Sequence, residues 1–219
     1  MDISGILDIL SYTEIYYIIV LKLHMQRWGN PIMSNINPFD KCPVYETNNL
    51  IFTKVKEEDA IDLFQCYSDP ITKNRMNNDN CGGIWDTHNV DAVINGIKGW
   101  SQEFDDRFYI RWSINNKQTN KIVGTIEISP IPNTTRFWDG ACQTGILRID
   151  IISSLENKIV LSEILRMVSD NFYVDFDIKN IIIKATKDDE ERVLALENNS
   201  FHKLENSTFP YSDYYIKIK

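Results

Sequence analysis

The sequence lacks an excess of basic residues, which limits the ligands that its surface can attract. Its 219 residues include 23 Lys and Arg against 31 Asp and Glu, a formal net charge of -8. Because general nucleic-acid binding needs a basic surface that displaces counterions, this balance argues against a nucleic-acid-binding protein. The negative electrostatic potential of such a surface is better suited to a cationic partner, such as a molecule that carries an amine.

The sequence also lacks the cysteine and histidine spacing of a metal site or a disulfide framework. Its four cysteines, at 42, 66, 81 and 142, form no C-x-x-C pair, and its three histidines, at 24, 88 and 202, are scattered. This pattern argues against a zinc site and is typical of reduced thiols. With no evident secretion signal, we expect a cytoplasmic protein.

No hydrophobic run is long enough to cross a membrane. The longest candidate, IYYIIVL at 15–21, is far shorter than a bilayer requires, so we expect no membrane association. Residues 3–27 are compatible with an amphipathic helix that serves dimerisation, as in a homodimer, or partner docking. The alternative is that Met33 is the natural start and that a non-native leader precedes it. We therefore divide the chain into residues 1–44, a helical extension or leader, and residues 45–219, the main domain.

From residue 45 onward, segments with strand and helix periodicity follow one another. Alternating apolar residues predict strands at LIFTKV from Leu50, FYIRWSI (108–114), KIVGTIEI (121–128), GILRIDII (145–152), IIIKA from Ile181 and two runs near the C-terminus. Helical spacing predicts helices at 57–70, closed by Pro70, at 89–104, at 160–172 and at 190–198. These elements predict an α/β (α+β) fold: a mixed, mostly antiparallel, twisted sheet of six or seven strands flanked by about four helices.

The segment from Ser153 to Phe172 is the most informative part of the sequence, because a strand there passes into a helix. A helix N-terminus that follows a strand presents unpaired N–H groups and a partial positive charge. A phosphate-bearing cofactor is therefore the first ligand to consider. However, no glycine occurs anywhere after Gly145, so this junction lacks the residues that usually let a phosphate approach the backbone.

The order of elements resembles that of the GCN5-related N-acetyltransferases (GNAT), and specifically the branch that acetylates ribosomal-protein N-termini. ETNNLIFTKVKEEDAIDLFQCYSDP is similar to the opening strand and helix of that branch, RWSINNKQTNKIVGTIEI to its central hairpin, and VLALENNSF to its late helix and turn. The resemblance covers about residues 45 to 219. It implies acetyl-CoA as the donor and a primary amine as the acceptor, on a protein N-terminus or a small molecule.

The sequence departs from the family at the coenzyme A site. The family motif R/Q-x-x-G-x-G/A holds the pyrophosphate with backbone amides, but its defined positions fall on Glu156, Ile159 and Leu161 here. The asparagine and serine of the family's late helix fall on Asp189 and Arg192. The resemblance implies these cofactor-binding residues: Ile149, Ile151, Glu156, Asn157, Lys158, Ile159, Val160, Leu161 and Asp189. We expect acetyl-CoA binding to be weak or altered.

Two carboxylates are the candidate catalytic groups for acetyl transfer to an amine. Glu127 lies on the second strand of the hairpin and Asp150 on the strand that enters the junction, each on the face opposite the apolar residues. Either carboxylate could orient or deprotonate a cationic amine, and we expect both to face one cleft. The alternative is that both are solvated sheet residues. Trp138, between two strands, is a candidate for the substrate groove.

Two function classes remain open from the sequence. The first is an acetyl-CoA-dependent N-acetyltransferase that acts on a primary amine. The second is a catalytically inactive relative that has kept the fold as a binding or interaction module and has lost the phosphate cradle.

Overall fold

The computed structural model describes residues 37–79, 85, 87–131, 143–205 and 209–219. Among these residues an eight-stranded sheet forms, in the order β1-β2-β3-β4-β5-β6-β8-β7. Its strands are β1 (Tyr45–Glu46), β2 (Leu50–Lys54), β3 (Ile110–Asn116), β4 (Lys121–Ile131), β5 (Thr144–Ile151), β6 (Asn180–Lys184), β7 (His202–Lys203) and β8 (Tyr214–Ile218). Within this sheet β5 and β6 pair in parallel and the other neighbours are antiparallel. The predicted fold class is confirmed, with eight strands instead of six or seven.

Five α-helices occur in the described residues, one more than expected. They are α1 (Ala60–Ser68), α2 (Pro70–Arg75), α3 (Val90–Asp105), α4 (Lys158–Asp175) and α5 (Glu190–Asn198). None of these helices is long and apolar enough to cross a bilayer.

Pro70 begins a helix, whereas the sequence pattern predicted that it closes one. The Asp69 side chain accepts hydrogen bonds from the backbone N–H groups of Ile71 and Thr72 and so caps the start of α2. Proline at the first helical position loses nothing, because its missing N–H would have had no intrahelical partner. The predicted helix does end just before Pro70, at Ser68, but the second helix that Pro70 begins was not predicted.

The main apolar core lies between one face of the sheet and α4. The apolar face of α4 is buried, and Phe172 stacks on Trp112 of β3 with ring centroids 5.4 Å apart. The segment before β1 joins this core, because Phe39 packs against Phe176 and the carbonyl of Pro43 accepts a hydrogen bond from Trp112. Residues 1–36 lie outside the described residues, so the proposed division at residue 45 stays a prediction.

The opposite face of the sheet is polar at its centre and is covered by α1 and α3. A smaller apolar cluster on this side joins Leu63 and Tyr67 of α1 to Val93 and Ile97 of α3. Tyr67 also reaches the sheet, where its hydroxyl lies 2.7 Å from Oγ1 of Thr125. The sheet is thus a middle layer with apolar residues towards α4 and polar residues towards α1.

The strands β5 and β6 separate partway along their length. Their parallel pairing runs from Thr144 opposite Asn180 to Leu147 opposite Ile183, while β5 continues to Ile151. The edge of β5 from Arg148 to Ile151 therefore extends beyond its pairing with β6, and we call this edge the notch. A 3-10 turn, Ser153–Leu155, leads from the notch into α4.

Candidate functional site

The polar face of the central strands gathers both predicted catalytic carboxylates. In the antiparallel register, Glu127 of β4 lies opposite Arg111 of β3 on one side and Arg148 of β5 on the other. Asp150 lies opposite Thr125, two residues along the same face. Because residues opposite one another, and residues two apart, share a face of a sheet, both carboxylates project to the same side.

Arg111 connects the two carboxylates. Its Nη2 lies 2.5 Å from Oε2 of Glu127, and its Nη1 lies 3.4 Å from Oδ2 of Asp150. Its guanidinium also stacks on Trp100 of α3, with the Cζ atom 4.3 Å from the ring centroid. Glu127 is only 1% exposed and Asp150 only 6% exposed, so the alternative that both are solvated sheet residues does not describe them.

The two carboxylates differ in their protonation equilibria. Burial alone would raise the pKa of Glu127, but Arg111 and Arg148, which donates to Oε1 at 2.7 Å, lower it below the ordinary value. Burial raises the pKa of Asp150, and Arg111, at a longer distance, only partly opposes that rise. Glu127 is thus held as a fully paired anion, whereas Asp150 has the higher proton affinity that a general base requires.

A second ionic cluster lies at the junction between the notch and α4. The Nη2 and Nε atoms of Arg192, on α5, lie 2.5 Å and 2.8 Å from Oε1 of Glu156. Nε of the same guanidinium lies 3.1 Å from Oδ2 of Asp189. Arg75, from the end of α2, places Nη1 3.3 Å from Oε2 of Glu156 and 3.6 Å from Oδ1 of Asp189. Two arginines and two carboxylates thus meet where the family resemblance predicts a pyrophosphate.

The backbone amides at the start of α4 already have acceptors within the protein. Asn157 caps the helix, since its Oδ1 accepts from the N–H groups of both Ile159 and Val160 at 3.1 Å. The N–H of Lys158 donates to Oε2 of Glu191 at 2.7 Å. The first N–H groups of α4, which would otherwise be free to bind an anion, therefore already donate to side-chain oxygens of the protein.

The backbone carbonyls of the notch are also bonded to side chains. Nη2 of Arg192 donates to the carbonyl of Ile149 at 2.9 Å, and the hydroxyl of Thr72 donates to the carbonyl of Ile151 at 3.0 Å. The side chains of both isoleucines belong to the apolar core. Arg192 thus joins the notch to the ionic cluster around Glu156.

The remaining predicted site residues have different surroundings. Leu161 is buried in the core, whereas the side chain of Ile159 is 71% exposed. Asp189 directly precedes α5 and is buried, and burial, together with the Glu156 carboxylate and against Arg192, raises its pKa. Trp138 lies outside the described residues.

Sequence reasoning assigned no role to the four arginines that organise the two clusters, Arg75, Arg111, Arg148 and Arg192. Arg111 and Glu127 carry opposite charges on the two strands of the predicted hairpin, but only the register shift between Ile114 and Asn115 places them directly opposite one another. Asp189 lies three residues before Arg192, which indicates their ion pair, but Glu156 lies far from both Arg75 and Arg192 along the chain.

Comparisons with known proteins agree with this architecture. The sequence model of the acetyltransferase (GNAT) domain matches residues 49–202. The uncharacterized N-acetyltransferase YoaA of Bacillus subtilis (strain 168) is 27% identical over 85 residues, which cover 38% of this chain and 44% of YoaA. The match thus spans less than half the length of that curated relative.

Two solved structures share the fold at low sequence identity. RimL, a ribosomal alpha-N-protein acetyltransferase in complex with coenzyme A, has a TM-score of 0.61 and 13% identity, with 80% of this chain and 98% of RimL covered. The microcin self-immunity acetyltransferase MccE, in complex with acetyl-CoA and AMP, has a TM-score of 0.60 and 14% identity, with 79% of this chain and 94% of MccE covered.

Proposed function

We propose that this chain, which belongs to the GNAT acetyltransferase family, transfers an acetyl group to a primary amine. The family assignment follows from the domain match over residues 49–202. The observation that carries the proposed activity is the buried pair of carboxylates, Glu127 and Asp150, on the polar face of the strands beside the notch. The acceptor is a protein N-terminus or a small amine, by analogy with RimL, an alpha-N-protein acetyltransferase.

On this proposal Asp150 handles the proton of the acceptor. An amine is protonated at neutral pH, and only its neutral form has the lone pair that attacks an acyl carbon. Asp150 combines burial with a raised pKa, so its Oδ atoms are suited to take that proton. Glu127 is a positioning residue, because both of its oxygens are bonded to arginines and it holds Arg111 next to Asp150.

The donor that the family implies is acetyl-CoA, and the junction in its present arrangement does not fit the pyrophosphate of that group. The amides of Ile159 and Val160 are bonded to Asn157, and the amide of Lys158 is bonded to Glu191. A carboxylate, Glu156, stands where the family motif has arginine or glutamine. This closed junction favours a second candidate function, a binding module that does not catalyse transfer.

We propose that residues 45–219 form the acetyltransferase domain and that the protein works in the cytoplasm. The described cysteines, Cys42 and Cys66, are free thiols, which suits a reducing compartment.

The test is acetylation of a panel of acceptors, followed by mass spectrometry of the products. Peptides with a free N-terminus are compared with the same peptides blocked at the N-terminus, and small primary amines are compared with their N-acetylated forms. We expect one acetyl group to be added to unblocked acceptors alone. Asp150→Asn should lower kcat/KM by roughly 10²-fold, the usual effect of one acid–base group, while Asp105→Asn, at the exposed end of α3, should leave it unchanged. Equal rates for wild type and Asp150→Asn would contradict the assigned role.

A further inference from the structure

Three separate elements bring charged side chains to the turn before α4. Arg75 ends α2, Arg192 belongs to α5, and Glu156 lies between the 3-10 turn and the helix. The side chain of Glu156 is 1% exposed, and that of Arg192 is 7% exposed. Such burial of an ion pair costs desolvation energy, so the pair is not explained by stability alone.

The hydrogen bonds within this cluster are unevenly distributed. Oε1 of Glu156 accepts two bonds from Arg192. Among the described residues, Oε2 of Glu156 and Oδ1 of Asp189 are buried yet accept no hydrogen bond. Both atoms face Nη1 of Arg75 at ion-pair distance, and the side chain of Arg75 is 29% exposed. Arg75 is therefore the member of the cluster that can most easily exchange one anionic partner for another.

The two guanidinium groups have the chemistry of a phosphate site. Planar guanidinium groups bind carboxylates and phosphates in the same forked geometry. Arg192 also donates to the carbonyl of Ile149, so the cluster lies directly beside the notch. Arg75 and Arg192 balance the charges of Glu156 and Asp189, and removal of the Glu156 charge would leave one uncompensated positive charge.

We propose that Glu156 is an internal anion that occupies a site formed by Arg75 and Arg192, and thereby holds the donor site closed to a ligand with a pyrophosphate group. The proposal rests on the proposed acetyltransferase function, because it concerns the donor site of that activity. An incoming pyrophosphate must displace Glu156 from both arginines. In the family motif, backbone amides next to glycines hold the pyrophosphate. In this chain two arginines stand at that place, and the carboxylate of Glu156 is bound to them.

A purely structural role of Glu156 and a role as internal anion lead to opposite results for the substitution Glu156→Gln. If the cluster only supports the fold, Glu156→Gln lowers the melting temperature and gives no new ligand affinity. If Glu156 is an internal anion, the same variant leaves Arg75 and Arg192 with one uncompensated positive charge and tightens anion binding. Glutamine keeps the shape and one acceptor oxygen of glutamate, so the change in charge is isolated.

The experiment is calorimetric titration of the full chain with coenzyme A and, separately, with inorganic pyrophosphate. We expect wild type to bind both ligands weakly and Glu156→Gln to bind both at least ten-fold more tightly. Glu197→Gln, an exposed position on the same helix as Arg192, changes the net charge equally and should not alter affinity. Sub-micromolar binding of coenzyme A by wild type would overturn the proposal, as would unchanged affinity in folded Glu156→Gln.

Two further variants cover the remaining outcomes. Adding Arg192→Gln to Glu156→Gln should abolish the gain in affinity, because the gain is assigned to the uncompensated positive charge. If Glu156→Gln does not fold, Asp189→Asn should give a smaller gain, since it removes the other carboxylate that faces Arg75, and no gain would overturn the proposal. Failure of the proposed function is distinguishable: Glu156→Gln would then bind coenzyme A tightly but acetylate no acceptor.

Discussion

Arg111 and Glu127 form a buried ion pair across the central hairpin, with Nη2 and Oε2 2.5 Å apart. Their side chains are 9% and 1% exposed. The pair matters for the site because the same guanidinium reaches Asp150 on the neighbouring strand. Glu127 thus helps to position Asp150, the candidate base, through Arg111, although Glu127 takes no proton itself.

We expect Glu127→Gln to destabilise the fold by about 3 kcal/mol at neutral pH, because it leaves Arg111 and Arg148 buried without a full countercharge. The lowered pKa of Glu127 sets the pH dependence of this cost. The ionised carboxylate of Glu127 contributes its full stabilisation of the fold above its ordinary pKa of 4.5. This contribution is lost as the pH falls through the lowered pKa that Glu127 has in the folded protein. Urea unfolding at about pH 7 and about pH 4 should give a smaller difference at the lower pH. A difference that stays constant across that range would refute the ion-pair explanation.

Gly124 is expected to tolerate no side chain. A Cβ atom there would lie 2.1 Å from the backbone oxygen of Asp150 and 2.7 Å from Cα of Ile151. Gly124→Ala should cost about 2 kcal/mol or more, because the backbone of β5 must move. The matched control is Gly99→Ala in α3, where a Cβ meets nothing within 4 Å and alanine should stabilise the helix by about 0.5 to 1 kcal/mol. Thermal unfolding of both variants checks these opposite signs, and equal effects would contradict them.

Asn157 should contribute more to stability than an ordinary helix cap. Its side chain accepts from two backbone N–H groups of α4, whereas Asn89 accepts from one N–H group of α3. We expect Asn157→Ala to cost about 1 to 2 kcal/mol and Asn89→Ala to cost about 1 kcal/mol or less. Chemical unfolding measures both values, and a larger loss at Asn89 would contradict the expected order.

The pH profile of acetylation should identify Asp150 as the base. Burial raises its pKa above the ordinary value of 3.8, so kcat/KM should fall as pH drops through this raised value and the carboxylate becomes protonated. The inflection should disappear in Asp150→Asn. An unchanged inflection in that variant would assign the proton transfer to another group.

The fold was largely predictable because its longer elements have clear periodicity. The helix expected at 190–198 matches α5, and the helix expected at 160–172 lies within α4. The strand β1 was missed, since two residues cannot show an alternating pattern. Pro70 was misinterpreted because the capping contribution of Asp69 was not considered.

The candidate site was predictable only in part. Alternation along the strands was enough to place Glu127 and Asp150 on the polar face of the sheet. Their surroundings were not predictable, because Arg111 is brought to them by strand register, and this register shifts between Ile114 and Asn115. Glu156 was recognised as a departure from the pyrophosphate motif, but its two arginine partners come from distant helices that no local pattern connects to it.

The dependence of the acetylation rate on acetyl-CoA concentration, compared between wild type and Glu156→Gln, tests the central claim most directly. We predict acetyl transfer by both proteins, with a KM for acetyl-CoA at least ten-fold lower in the variant and a similar kcat, because Glu156 affects donor binding and not the proton transfer at Asp150. If neither protein acetylates any unblocked amine at saturating acetyl-CoA, the claim that this chain is an acetyltransferase is contradicted.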